Sequence, residues 1–159
     1  MLANALIHQD MTISGMGPKV EVFEDRIEFN NPGEPVTDWR KLFGAEPRSR
    51  NEALAFAMRK MDLCEERGSG LRRTIAATNS AHLLPPEFLK MDGSTRVVLY
   101  GHGRDFDAMD QAAKVRATYY YAMLVWEDGR RLTNAAMRER FNLRQSDVSK
   151  VSVLLGVLR

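Results

Sequence analysis

Between Arg50 and Gly70 the chain reads RNEALAFAMRKMDLCEERGSG, and this stretch constrains the fold more than any other. Leu54, Met58 and Met61 recur at i, i+4 and i+7, one stripe of a helix turned to a core, while Arg59, Lys60 and Asp62 fall on the opposite side. Gly68-Ser69-Gly70 then frees the backbone ahead of a second helical segment, LRRTIAATNS, so amide N–H groups can point outward where a helix starts. Such a place holds an anion, or it is an ordinary turn between two helices.

The total of 159 residues suits one ordinary domain or two small ones, and 44% hydrophobic with 28% charged side chains is the balance of a folded, soluble chain. No apolar run approaches the ~20 residues that cross a bilayer. The start, MLANALIHQD, lacks the basic region and cleavage pattern of a signal peptide, so a cytoplasmic protein without a membrane partner is expected. Cys64 is the single cysteine; it reads as packing material, and no Cys/His cluster suggests zinc. Residues 1–104 are balanced in charge, whereas Arg130 to Arg159 carries seven basic and two acidic side chains. That excess points to a polyanion, because lysine and arginine contacts to phosphate release counterions; a solvated helical face is the competing reading.

The chain opens within a helix that sets Leu2, Ala3 and Leu6 on one side and Asn4 and His8 on the other. A helix without a cap at the first residue suggests a piece cut from a longer protein. After Gly15-Met16-Gly17-Pro18, Val20 and Val22 and then Ile27 and Phe29 alternate with charged neighbours, predicting an antiparallel hairpin turning at Glu24-Asp25-Arg26. Asn31-Pro32-Gly33 stops its second strand. Residues 34–49 read as loop with a short turn at DWRKLF; Leu71 to Asn79 reads as a helix with Leu71 and Ile75 inward; Pro85-Pro86 breaks the chain; and TRVVLYG is a strand. Beyond His102-Gly103-Arg104-Asp105 the pattern is helical. Ala112, Val115, Tyr119, Ala122, Met123 and Trp126 form the expected inward stripe of one helix, ended by Glu127-Asp128-Gly129. Thr133 is the expected N-cap of NAAMRERF, Asn142 its stop, and Ser146 the N-cap of DVSKVSVLLG.

In order along the chain, NALIHQDM, VEVFEDRIEFNNPGEP, RSRNEALAFAMRKMDLCEERGSGLRR, LPPEF and TRVVLYG resemble the C-terminal region of a bacterial family of transcriptional regulators. Members are labelled RecG-related or ATP-dependent DNA helicase and carry an AlbA/Schlafen-like domain upstream. The resemblance runs from Asn4 to about Gly101 and implies a fold like the GHKL ATPases. It implies that Asn4 matches an asparagine holding Mg²⁺, that Asn31 and Gly33 match a first glycine turn near adenine, and that Gly68, Ser69 and Gly70 lie at a second turn near the ATP phosphates. An amide oxygen suits Mg²⁺ and free N–H groups suit phosphate. Three features depart from the pattern: the hydrolytic glutamate four residues before the asparagine would fall ahead of Met1, NNPG stands in place of an aspartate and two glycines, and residues 34–49 are short for a lid. No P-loop of the type G-x-x-x-x-G-K-[ST] occurs, so the chain is no helicase motor and no catalytic residue is assigned.

The later half resembles a winged helix-turn-helix, with LTNAAMRERFNL and RQSDVSKVSVLLGVLR as the second and recognition helices. Val148, Val151 and Leu155 would face the core, leaving Arg144, Gln145, Ser146, Ser149, Lys150 and Ser152 for DNA, and the wing is expected to be missing. The expected class is therefore α+β: a GHKL-like layer over residues 1–104, then an all-α helix-turn-helix unit over 105–159. The expected function is DNA binding within a transcriptional regulator, the first domain serving as an ATP sensor or dimerisation scaffold for a homodimer. The alternatives are an ATP-hydrolysing domain and a degenerate interaction module.

Overall fold

The computed structural model describes residues 1–35, 48–64, 69–103 and 105–157. They divide into two compact units, Met1–Ala77 with Pro86–Gly101, and Thr78–Pro85 with His102–Arg159.

The first unit starts with α1 (Leu2–His8), followed by β1 (Lys19–Val22) and β2 (Arg26–Pro32), the expected hairpin. α2 (Glu52–Lys60) and α3 (Ser69–Ser80) precede β3 (Glu87–Met91) and β4 (Ser94–Tyr100). All pairings are antiparallel and the sheet order is β1-β2-β4-β3. β3 is an addition to the sequence reading. Pro85-Pro86 hid it, although Met91 pairs with Ser94 across Asp92-Gly93, with Gly93 at φ 64°, a dipeptide that closes tight hairpins.

The registers align Val20, Phe29, Val97 and Phe88 in one row across the four strands. Side chains paired in register share a face, so this is the apolar face, and Val97 and Phe88 are buried. Glu21, Glu28, Asn30 and Arg96 share the other face, where Arg26 Nε donates to Glu28 Oε1 at 2.6 Å and Arg96 Nε donates to Asn30 Oδ1 at 2.7 Å. Ile7, Ala55 and Met58 form a core cluster joined by Ala3, Leu6, Leu54 and Cys64. Met61 departs from the expected stripe: α2 ends at Lys60, Asp62 takes φ 56°, and Met61 is 60% exposed. α3 begins at Ser69, two residues earlier than Leu71, and Ile75 is fully buried. The DWRKLF turn and Gly68 lie outside the described residues.

In the second unit, Leu84 and Pro85 are buried, and a short 3-10 turn (Phe106–Ala108) leads to α4 (Gln111–Glu127). The Asp110 carboxylate caps α4, accepting from the Ala113 N–H at 2.7 Å. α5 (Asn134–Arg140) is capped by Thr133, which accepts from the Ala136 N–H at 3.1 Å. A turn with Asn142 at φ 51° joins it to a 3-10 turn (Gln145–Asp147) and α6 (Val148–Val157). Met137, Val151 and Leu154 are buried, with Ala113, Ala117, Tyr120 and Val125 of α4.

Three expectations change here. The buried positions of α4 are displaced from the expected stripe, and Trp126 is 67% exposed. α4 is apolar around most of its girth, so spacing alone could not select a face. On α6, Leu154 is buried while Val148 is 39% exposed. Ser146 lies inside the 3-10 turn instead of capping: Arg144 is the cap residue, and its N–H donates to Asp147 Oδ2 at 3.0 Å. Among the described residues no helix is long and apolar enough to cross a membrane.

Candidate functional site

α1 carries Asn4 and His8 one turn apart on a half-buried face. Asn4 meets the start of α3: a Cβ on Gly70 would lie 3.5 Å from both Asn4 Nδ2 and Asn4 Oδ1, ordinary contact distance. Gly70 is exposed there, and its carbonyl accepts from Thr74 Oγ1 at 2.9 Å. Two of the expected cofactor-binding positions are thus neighbours, although 66 residues separate them in the chain. Ser69 opens α3 in the same place.

Asn31 and Gly33 are placed differently. In the amide orientation that satisfies both partners, buried Asn31 donates to the Ala5 carbonyl at 2.7 Å and accepts from the Gln9 N–H at 3.2 Å. Its side chain therefore braces the backbone of α1. Gly33 has φ 95°, and a Cβ there would overlap Arg50 Nη1 and stand 2.7 Å from Asp10 Cβ. Only glycine tolerates that close approach.

Arg50 and Asn51, which sequence reasoning assigned no site role, tie this region together. Arg50 Nη1 donates to the His8 carbonyl at 3.2 Å and Nη2 to the Glu34 carbonyl at 2.8 Å. Asn51 Nδ2 donates to the carbonyls of Ile7 at 2.9 Å and Gln9 at 2.8 Å. These carbonyls end α1 and lack helical partners, so the pair caps the helix that bears Asn4. The adjacent Arg-Asn in the quoted motif was the available signal. Arg50 is half-buried. Burial, reinforced by the Arg50 guanidinium, lowers the His8 pKa and favours its neutral imidazole. Asp10 is held below the ordinary carboxylate value, chiefly by hydrogen bonds from the Thr12 hydroxyl and N–H.

Among the described residues no group of three or more His, Cys, Asp and Glu could hold a metal ion.

The expected DNA-facing residues cluster around the start of α6. Arg144, Gln145, Ser146, Ser149, Lys150 and Ser152 are all exposed. Gln145 Oε1 accepts from Arg138 Nη1, and Ser152 Oγ donates to the Val148 carbonyl at 2.9 Å while accepting from Asn134 Nδ2 at 3.1 Å. Lys150 Nζ lies 2.9 Å from Asp147 Oδ1 and 3.4 Å from Asp107 Oδ1. Arg140, one of the basic residues of the charged C-terminal stretch, is turned to the same unit's own chain: its Nε donates to Asn79 Oδ1 at 2.6 Å and its Nη1 meets His82 Nδ1 at 2.9 Å.

The family described as "Putative ATP-dependent DNA helicase recG C-terminal" matches residues 15–99. Comparison with curated proteins finds no match. Among solved structures, the chain is similar to the crystal structure of the DIP2311 protein from Corynebacterium diphtheriae, with a TM-score of 0.58 and 18% identity. The likeness covers 93% of this chain and 33% of that one, so the chain spans about a third of that protein's length. At this identity it is a likeness of fold.

Proposed function

The chain belongs to the RecG C-terminal family, and from that premise we propose that it is the DNA-contacting part of a transcriptional regulator, with α5 and α6 as a helix-turn-helix. The observation that carries this reading is the surface at the start of α6. Arg144, Gln145, Ser146 and Ser149 stand exposed just after the Asn142 turn, while Met137, Val151 and Leu154 seal the opposite side. Short polar side chains at a helix start suit base edges in a major groove, and Arg144 suits a flanking phosphate. The test is fluorescence anisotropy with duplex DNA over a range of salt. Salt-sensitive binding that weakens in Arg144→Ala and in Ser149→Ala supports the reading, and its absence in the unaltered chain ends it for these 159 residues.

A second reading concerns ATP, and the contact between Asn4 and the start of α3 favours it. Asn4 would offer its amide oxygen to Mg²⁺, and the amides of Ser69 and Gly70 would face phosphate at the N-terminus of a helix of 12 residues. Bound Mg²⁺ would supply charge neutralisation of the phosphates. Asn31 and Gly33 are engaged with α1, Arg50 and Asp10, which leaves the phosphate side the better supported end. Amide shifts on titration with Mg²⁺ and ATP test it: perturbation confined to Asn4 and Ser69 to Leu71 is expected, and no shift there rejects it.

A further inference from the structure

β1 is an outer strand of the sheet, and its exposed side chains continue the internal apolar row. Along Phe88, Val97, Phe29 and Val20, burial falls toward this edge: Phe88 and Val97 are 8% exposed, Phe29 is half-buried and Val20 is 42% exposed. Val22 beside it is 76% exposed, and its register partner Ile27 is 36% exposed. The row thus runs out into solvent on a strand whose outer side is unshared among the described residues.

The backbone of β1 is oriented for a further strand. At the hairpin turn the Phe23 N–H donates to the Arg26 carbonyl at 2.8 Å. Bonded positions alternate along an antiparallel ladder, so Glu21 and Lys19 direct their N–H and C=O groups to β2, and Val20 and Val22 direct theirs to the outer edge. We propose that β1 pairs antiparallel with β1 of a second copy of this chain, about a two-fold axis at Val20, joining two four-stranded sheets into one.

Only a register with Val20 opposite Val20 or an even shift of it keeps both apolar faces on one side. In this one, the two Val20 residues exchange N–H···O=C bonds, and the Val22 N–H of each copy donates to the Pro18 carbonyl of the other. Pro18 has no N–H, which ends the ladder there. On the polar face Lys19 falls opposite Glu21 of the second copy, twice by symmetry. Glu21 sits opposite Glu28 in its own sheet and meets Lys19 at 2.7 Å, so a second lysine adds to a carboxylate already held in its charged form by Lys19. The apolar row becomes continuous across eight strands. Charge complementarity selects a second copy as the occupant, since the strand is its own complement.

Sedimentation velocity over a concentration series tests this. The unaltered chain is expected to pass from 18.1 kDa to about twice that mass. Val20→Pro removes an outward N–H and leaves the β1–β2 bonds in place, so the variant is expected to stay monomeric with an unchanged circular dichroism spectrum. Lys19→Glu alone sets like charges opposite each other, as does Glu21→Lys alone, and each is expected to lose the dimer. Mixing these two variants restores both ion pairs and is expected to restore association. A monomer at every concentration, a dimer untouched by Val20→Pro, or a mixture that stays monomeric would each overturn the proposal. The charge variants decide the matter even if Val20→Pro does not fold.

Discussion

Asn51 holds the Ile7 carbonyl oxygen from two donors at once, its side-chain Nδ2 at 2.9 Å and its backbone N–H at 3.2 Å. The same Nδ2 reaches Gln9, so the start of α2 serves as the C-terminal cap of α1. The placement of Asn4 against α3 depends on the orientation of α1, and that orientation is maintained from a point 44 residues further along the chain.

Replacing Asn51 with Ala leaves these part-buried carbonyls without their donors and is expected to destabilise the fold by roughly 1–3 kcal/mol. Urea denaturation monitored by circular dichroism measures it. Asn51→Asp should be at least as damaging, because a carboxylate turns acceptors toward acceptors.

Gly33→Ala is expected to cost about 1–3 kcal/mol from the positive φ, with a further loss because its methyl displaces Arg50. The added loss should shrink in the Gly33→Ala, Arg50→Ala pair. A double-mutant cycle in which the two effects simply add would show that the contact carries no energy.

The His8 pKa lies below its ordinary 6.5 because burial, and then Arg50, disfavour the imidazolium. As pH falls through 6.5 the unfolded chain takes up this proton first, so stability should decline from there toward the folded value. In His8→Gln that part of the pH dependence should vanish; an unchanged curve would reject the assignment.

Asp147 acts in the same direction over a more acidic range. Its hydrogen bond with Lys150, and then that from the Arg144 N–H, hold its pKa below 3.8. Its contribution is fully present above 3.8 and is lost as pH falls through the lower folded value. Asp147→Asn should flatten the acid limb of the unfolding curve, measured in urea at successive pH values.

Asp107 lies 3.4 Å from Lys150 and competes with any phosphate for that ammonium. Asp107→Asn is therefore expected to tighten DNA binding several-fold in anisotropy titrations, while Arg144→Ala should lower the slope of log affinity against log salt by about 0.9, one phosphate contact. Equal affinities for Asp107→Asn and the unaltered chain would place Lys150 outside the interface.

What could be read from the chain alone followed from local physics. The β1–β2 hairpin was legible because alternation and turn are settled within neighbouring residues, and so was the Thr133 cap, whose hydroxyl reaches only to Ala136. Asn4 and the glycines were singled out only through the family resemblance; what is shown is the family itself, over residues 15–99. Tertiary structure decided the rest. It chose which side of the nearly all-apolar α4 is buried, leaving Trp126 out, and added β3 behind two prolines. It also made Arg50 and Asn51 the caps of α1, engaged Arg140 with Asn79 and set Asn4 beside Gly70. Spacing and propensity act over a few residues, whereas a donor meets an acceptor dozens of positions away only when packing brings the two segments together.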